Sequence, residues 1–531
     1  MIKINAGVGF FATACCLTEA FVCNAQLTGA SGSLAGREPP NILVILTDDV
    51  GWGDLQCYNS DGRIPTPNAD RLAREGMRFT RAHTPAALCA PTRYSMVTGN
   101  YPFRSRVAGG VWGFNDPSAV LPGQLTLAQM LKPAGYRAAM FGKAGFGGSF
   151  NSRLPSGKSA DVLAEDLAPF KLGFDYSYLI PRGHQSWPFG FYENGTAVSQ
   201  MSRTDGAITA ADWDTQIIGE RLVSKATAFL DDHLAKNTAA GKSSPFYIHF
   251  CTDGAHSPYT PPRSLLGAPV KGVTGISEHT DMVYETDVIT GKLLEALEQR
   301  NLLKNTLIVY TSDNGGMPFE RENGHDAVGG LRGRKASIFE AGHRVPFIVR
   351  WGDGTPQGSV IPPGSVRNQI VGTHDIVATA LEAASLQVPG DQCLDSISLL
   401  PVLMGRRDDS RPVRQALMIQ SRPGGDYYED MGFPNAGVIT PSKEDKARRE
   451  APFVPVEGRS SRNMSHALLT GNWKLVTDIE NDRPAALYDL DADPMEQTTR
   501  IGDPEQAARI QQMYLLYQEI RDSQRSVPSG R

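Results

Sequence analysis

Apolar residues fall along this chain in short unbroken runs, separated by stretches in which they recur at helical spacing. Asn41-Ile42-Leu43-Val44-Ile45-Leu46 and Thr306-Leu307-Ile308-Val309-Tyr310-Thr311 have strand length and almost no polar interruption, the pattern of strands buried on both faces. Tyr136 to Phe141 and Pro245 to Phe250 read as two more strands. Between them the period is helical: Asn68 to Gly76, Gln124 to Ala134, Asp214 to Lys236, Asp281 to Asn301 and Gly372 to Ala384 are the expected helices. Strand and helix in alternation predict an α/β protein with a large, mostly parallel sheet sandwiched by helices. The last part of the chain departs from that rhythm. Ala416 to Ile419, Ala467 to Thr477 and Ala486 to Leu490 read as antiparallel strands, and Pro504 to Ser523 as a closing amphipathic helix, so a smaller C-terminal antiparallel sheet is expected.

The start of the chain predicts a leader. Met1-Ile2-Lys3 precedes an apolar run from Ala6 to Leu17, and small residues surround Cys23-Asn24-Ala25, so residues 1–25 read as a secretory signal peptide cleaved after Ala25. Cleavage near Cys15 or Cys16, as in a lipoprotein, is the alternative. The run is too short to span a bilayer and no later segment has that length, so export to a periplasm, the cell surface or the medium is expected. Residues 26–38 read as a polar linker, 39–405 as the α/β domain and 406–531 as a C-terminal subdomain, an allocation that 531 residues accommodate. The subdomain contains a long polar stretch, Gly424 to Asn463, with Tyr427, Tyr428 and a charge cluster from Lys443 to Glu450; it reads either as a lip over a cleft or as disorder.

Charge and cysteine content narrow the function classes. A net charge of −5 argues against a general nucleic-acid binder and supplies no long-range pull on an anion, so any anion recognition has to be local. Loss of the leader would leave Cys57, Cys89, Cys251 and Cys393, too widely spaced for a disulfide framework, with a Cys57–Cys251 bridge left open.

Candidate chemistry sits where the two strongest strands end. The first delivers Asp48-Asp49 and the second Asp313-Asn314, at the strand ends where α/β sheets keep their ligands. Paired aspartates also cap helices, and Asp-Asn-Gly also makes turns. Taken together, the two strand ends form a hard oxygen set suited to Ca²⁺ or Mg²⁺ and unsuited to thiolate-seeking metals. A third stretch, Cys89-Ala90-Pro91-Thr92-Arg93, reads as a loop closed by Pro91 that runs into a helix with Thr92 and Arg93 in its first turn. Unpaired N–H groups there suit an anion, against the alternative of a buried structural cysteine.

That third stretch, with Leu88 before it and Thr98-Gly99 after it, resembles the Cys-x-Pro-x-Arg signature of the formylglycine-dependent (type I) sulfatases of the alkaline phosphatase superfamily. Gly142-Lys143, His256-Ser257-Pro258, Gly333-Arg334-Lys335 and Phe339-Glu340-Ala341-Gly342-His343-Arg344-Val345-Pro346 resemble further family motifs in family order. Leu394 to Pro401 and Asp493-Pro494-Met495-Glu496 resemble its later segments. The resemblance implies an alkaline phosphatase-like fold and hydrolysis of sulfate esters. It implies that a formylglycine-generating or anaerobic maturation enzyme oxidises Cys89 to an aldehyde, whose hydrate attacks sulfur. It further implies a Ca²⁺ or Mg²⁺ ion held by Asp48, Asp49, Asp313, Asn314 and modified Cys89. Arg93, Lys143 and Lys335 would neutralise sulfate oxygens, and His256, with Lys335, would protonate the departing alkoxide.

One position departs from the family pattern: the histidine two places after the lysine is Gly145 here. His184, in Gly-His-Gln, and His325, in Gly-His-Asp, are the candidates to supply its function from a loop; the alternative makes them substrate-side or surface residues. The expected substrate is a sulfated carbohydrate, with Trp112, Trp187 and Tyr192 either stacking on sugar or belonging to the core. A phosphodiesterase or phosphonate monoester hydrolase on the same scaffold, and a catalytically impaired sulfated-glycan binding protein, are the rival readings.

Overall fold

The two apolar runs become neighbouring strands at the centre of a ten-stranded sheet. In the computed structural model, which describes residues 36–106, 111–112, 118–147, 171–204, 207–421, 465–479 and 481–523, that sheet contains β1 (Asn41–Thr47), β2 (Met77–Phe79), β3 (Arg137–Lys143), β4 (Tyr176–Ile180) and β5 (Tyr192–Glu193). It continues with β6 (Thr196–Ala197), β7 (Phe246–Cys251), β8 (Thr306–Ser312), β9 (Phe347–Arg350) and β10 (Ser365–Arg367). The spatial order is β10-β2-β9-β8-β1-β7-β3-β4-β5-β6. The central strands β8, β1, β7, β3 and β4 are all parallel, so their C-terminal ends share one edge of the sheet. The expected leader, nearly all of the expected linker and the polar stretch from Gly424 to Asn463 lie outside the described residues.

Alternation along each strand divides the core between the two faces. On one face Leu43, Ile45, Phe141, Ile248, Phe250 and Tyr310 pack against α1 (Pro67–Glu75), α3 (Ile218–Ala240) and α4 (Glu278–Gln299). Between α1 and α3 in sequence lies α2 (Cys89–Thr98), every residue of which is buried. On the other face Ile42, Leu307, Val309 and Val349 gather with Ile376 and Ala380 of α5 (Ile376–Ala383) and with Leu399 and Leu403. Each such buried leucine or isoleucine would cost about 2–5 kcal/mol on truncation to alanine.

The smaller sheet is antiparallel, with β11 (Leu417–Gln420), β12 (Ser465–Thr470), β13 (Trp473–Asp478) and β14 (Arg483–Asp489) in that order. The closing helix α6 (Ala507–Asp522) buries Met513, Tyr517 and Ile520 in the same apolar cluster as Leu468, Leu475 and Leu487. The described residues from Pro39 onward form one compact unit.

Three elements differ from expectation for local reasons. The helix expected over Gln124 to Ala134 contracts to Leu127–Met130 and a 3-10 turn at Lys132–Ala134, because Pro133 brings no N–H to continue the ladder. The strand expected over Ala467 to Thr477 is two strands hinged at Gly471-Asn472, where Gly471 has φ +53°. Helix α2 opens at Cys89, before Pro91 instead of after it. Its first-turn N–H groups have no intrahelical partner in any case, so a proline there sacrifices no helical bond.

Candidate active site

Parallel register assembles the site. Leu46 pairs with Thr311 and Thr47 with Ser312, so Asp48-Asp49 and Asp313-Asn314 leave adjacent strands side by side. The Asp313 N–H donates to the Thr47 carbonyl (3.1 Å), and the Asp49 N–H to Asp313 Oδ1 (3.3 Å). On the other flank of β1, Cys251 pairs with Leu46 and with Gly142, which sets Lys143 beside the same edge. Gly142 has φ +83°, and a Cβ there would lie 1.8 Å from the Cys251 carbonyl oxygen, so only glycine permits this approach. Asp49 itself has φ +61°, a region that non-glycine residues seldom occupy outside functional turns.

The charged groups interlock. Lys143 Nζ lies 2.5 Å from Asp48 Oδ2. Arg93, fully buried in the second turn of α2, donates through Nε and Nη2 to Asp313 Oδ2 (2.9 and 2.7 Å) and through Nη1 to the Lys143 carbonyl (2.9 Å). Its Nη2 also stands 3.3 Å from Asp48 Oδ2. Lys335 Nζ reaches both Asp49 oxygens (2.6 and 2.8 Å), and Asn314 Nδ2 donates to Asp49 Oδ1 (2.7 Å). Although burial opposes ionisation, Lys143 and Arg93 hold Asp48 well below the usual carboxylate range. Burial, and then the Asp48 charge, push Asp313 up to about 6 against the pull of Arg93.

Two oxygens show where a cation belongs. Asp48 Oδ1 and Asn314 Oδ1 are buried without a hydrogen-bond partner, a costly arrangement unless a cation meets them. Oxygen donors from Asp48, Asp49, Asp313 and Asn314 form the hard set that a divalent ion such as Ca²⁺ or Mg²⁺ takes, so the residues present fit such an ion. Asp48, Asp49 and Asp313 balance Arg93, Lys143 and Lys335 in formal charge, and a bound divalent ion would leave a net surplus for an anionic ester.

His256 stands at the edge of this group with 18% of its side chain exposed, its Nε2 3.8 Å from Asp49 Oδ2. Nδ1 lies 2.7 Å from the Ser257 carbonyl, which fixes the proton there and leaves Nε2 as the working nitrogen. Burial lowers its proton affinity, and Asp49 opposes that shift. Cys89 opens α2, with no side-chain cap at Leu88.

The two histidines considered as replacements for the missing one are both engaged. His325 donates from Nε2 to Asp54 (2.8 Å) and accepts the Arg63 N–H at Nδ1 (3.2 Å), so it is a satisfied buried histidine. His184 lies closer to the site, its ring centroid 6.4 Å from that of His256. Its Nδ1 pairs with Asp253 and its Nε2 lies 3.0 Å from the Pro258 carbonyl. Both partners are acceptors, so both nitrogens donate and the ring is an imidazolium. Burial works against that charge, and Asp253 more than restores it. His184 is thus a clamp on the loop that carries His256 and has no free lone pair to act as a base. Asp253 is the residue that reading the sequence missed; an acid just past the end of β7, three places before His256, was the available signal.

At Gly145 the backbone has φ +74°, and a Cβ would meet Arg93 Cδ at 3.0 Å. Trp112 and Tyr192 are core residues, while Trp187 is half-buried. The four cysteines among the described residues are all free thiols.

Comparison with known proteins agrees with this geometry. The sulfatase family model matches residues 40–386. The chain is 27% identical to an N-acetylgalactosamine-6-O-sulfatase of Bacteroides thetaiotaomicron, covering 89% of this chain and 91% of that protein. It is 30% identical to the N-acetylgalactosamine-6-sulfatase of Canis lupus familiaris, over 74% of this chain and 70% of that one. A solved structure described under the metabolism of multiple glycosaminoglycans by Bacteroides thetaiotaomicron shares the fold, with a TM-score of 0.70 at 24% identity, covering 92% of this chain and all of that one.

Proposed function

The chain belongs to the sulfatase family and is a sulfuric ester hydrolase, and from that premise we propose that it removes sulfate from a sulfated carbohydrate, with a 6-O-sulfated N-acetylgalactosamine residue as the first substrate to test. The observation that carries this reading is the pairing of an oxygen set containing two unpartnered buried oxygens with three basic side chains and a half-buried histidine at one sheet edge. We propose further that the protein is exported, that Asp48, Asp49, Asp313 and Asn314 hold a Ca²⁺ ion, and that a maturation enzyme converts Cys89 to formylglycine.

The ion would supply positive charge opposite the ester oxygens, and the formylglycine the attacking hydroxyl. The chain's own side chains do the rest. Arg93, with no exposed surface, acts behind the carboxylates, fixing Asp313 and Asp48 in place instead of meeting the ester. Lys143 holds Asp48, and Lys335, 15% exposed, holds Asp49; both would share their protons with sulfate oxygens, a preorganised electrostatic term. His256 presents Nε2 to the departing sugar oxygen. A bound anion raises the proton affinity of that nitrogen, so it can donate. Having donated, Nε2 is left as a base, and this is how the site would manage without a side chain at Gly145.

The experiment is sulfate release from sulfated mono- and oligosaccharides by protein whose residue 89 is shown by mass spectrometry to carry the aldehyde, with Cys89→Ala as control. Release by the converted protein alone supports the proposal. Equal release by Cys89→Ala would refute it, and cleavage of phosphonate monoesters or phosphodiesters in preference to every sulfate would move the activity to the rival chemistry.

A further inference from the structure

Two loops that leave the site carry aromatic rings that the chemistry above does not use: Tyr259, whose inner side packs against the main core, and Phe319, which lies outside it. Tyr259 stands three residues beyond His256 and Phe319 five beyond Asn314, so at about 3.5 Å per residue both lie within about 18 Å of the site along the chain alone. The loops converge. The Tyr259 and Phe319 ring centroids are 6.4 Å apart at 67°, and both rings pack on His279, at 4.9 and 5.6 Å. The backbone of the Phe319 loop is tied to the site as well, since the Lys335 N–H donates to the Gly316 carbonyl (3.3 Å).

Phe319 is 43% exposed, the one exposed phenylalanine among the described residues. A single exposed apolar side chain means little by itself. What sets this one apart is the rigid polar support directly beneath it. His279 is buried, and its Nδ1 lies 2.9 Å from Glu320 Oε1, which also accepts from Ser277 Oγ (2.8 Å). The Glu320 carbonyl in turn accepts the N–H groups of Asn323 (2.9 Å) and His325 (3.2 Å). Phe319 is therefore held by its neighbour in sequence, in a fixed place, with its ring left open. Tyr259 is half-buried, and its hydroxyl feels the site's charges: burial, then Asp49 and Glu320, raise it above the ordinary phenol range, and Lys335 opposes them.

We propose that Tyr259 and Phe319 form a stacking shelf for the C–H face of a pyranose ring of the substrate. This rests on the reading that the substrate is a sulfated carbohydrate. The occupant follows from the neighbours. A molecule that spans from Lys335 and His256 to this pair must offer an anionic ester at one end and a flat apolar face at the other, and a sulfated sugar ring, or that ring with its neighbour, offers both.

The test compares wild type, Phe319→Ala and Phe319→Trp, all with residue 89 converted, on a sulfated monosaccharide and on a disaccharide that contains it. Phe319→Ala is expected to raise KM for sugar esters about three- to tenfold with kcat within about twofold of wild type, and Phe319→Trp to keep the wild-type KM. The inhibition constant of inorganic sulfate, which meets only the cationic end, stays unchanged in both variants. A KM change on the monosaccharide assigns the shelf to the sulfated ring, and a change confined to the disaccharide assigns it to the adjoining ring; both support the proposal. Unchanged KM on both substrates, or a shift in sulfate inhibition that follows KM, overturns it. Wild-type protein that cleaves a small alkyl sulfate but no sugar sulfate overturns the carbohydrate reading and the shelf together, whereas active wild type with an unaffected Phe319→Ala overturns the shelf alone.

Discussion

The chain builds two buried clusters from the same kinds of residue, and they have opposite ends. At the sheet edge, Asp48, Asp49 and Asp313 meet Arg93, Lys143 and Lys335, with Asp48 Oδ1 and Asn314 Oδ1 left without partners and His256 and Lys335 reaching the surface. In the second cluster, His83, Glu340 and His343 meet Lys474 of β13 and Glu496. Lys474 Nζ stands 3.0 Å from His343 Nε2, 2.8 Å from Glu496 Oε1 and 3.4 Å from Glu340 Oε1, with none of its side chain exposed. The two imidazoles face each other through Nδ1 at 3.0 Å. Burial lowers both, His83 to about 3, so they stay neutral. His83, Glu340 and His343 are close enough together to hold a metal, yet an ammonium already fills that role and a metal would add charge beside Lys474, Arg344 and Arg81. What separates a reactive centre from a strut is access: the side chains of His256 and Lys335 are 18% and 15% exposed, whereas Lys474 and the His83, Glu340, His343 and Glu496 around it are sealed from solvent. The first cluster waits for an ion and an anion from solvent; the second uses Lys474 to pin the small sheet to the segment that follows Lys335.

Removing one lysine from each cluster sharpens this contrast most. Lys474→Met leaves Glu340 and Glu496 buried without their cation and is expected to cost about 3–5 kcal/mol in urea unfolding. Lys335→Ala is expected to cost less stability than Lys474→Met, because Asp49 keeps the Asn314 bond and lies at the open edge, while sulfate release falls about 10³-fold. A Lys474→Met protein of wild-type stability would break the distinction.

His256→Gln comes next. Loss of the proton donor should lower kcat about 10²-fold on a sugar sulfate, whose alkoxide leaves poorly, and much less on a nitrophenyl sulfate, whose phenolate leaves without help. Equal losses on the two esters would show that His256 acts by position alone.

One more buried carboxylate has only a weak opposing cation, His184. Glu285 lies in α4, and burial, followed by the charge of Asp253, raises it from its ordinary 4.5 to about 8. It is neutral in the folded chain and ionised in the unfolded chain across that window, so the folded state holds the extra proton and stability falls as pH rises from 4.5 towards 8. Glu285→Gln should remove the decline, gaining about 1–3 kcal/mol over wild type at the alkaline end and almost nothing at the acid end, as read by thermal unfolding against pH.

The smallest effect belongs to Gly145→His. A side chain at φ +74°, with its Cβ crowding Arg93, should cost about 1–2 kcal/mol of stability and bring no gain in sulfate release. A faster enzyme would mean that His256 does not cover the base step.

The sheet and its charged edge were legible because their signals are local. An unbroken apolar run ending in Asp-Asp or Asp-Asn states both the strand and its cargo, and five parallel strands follow from the alternation with helices. The start of α2 was placed late because Pro91 reads as a loop residue unless it falls in a first turn. Arg93 was expected to neutralise sulfate oxygens; that its guanidinium is wholly buried and grips Asp313 is a tertiary fact that the motif does not carry. His184 was read either as a base or as a substrate-side or surface residue, and the acceptors on its two nitrogens, Asp253 and Pro258, come from a loop about 70 positions away. Lys474 and Glu340 meet across 134 positions, a separation that carries no sequence period.

The most direct test of the account is divalent-ion dependence at the two unpartnered oxygens. Converted protein is stripped with a chelator and sulfate release is measured as Ca²⁺ is returned, in wild type and in Asn314→Ala. The account predicts that stripping abolishes release, that Ca²⁺ restores it in wild type, and that Asn314→Ala recovers only at much higher Ca²⁺. Full release in the presence of chelator, or identical Ca²⁺ dependence in the two proteins, would contradict it.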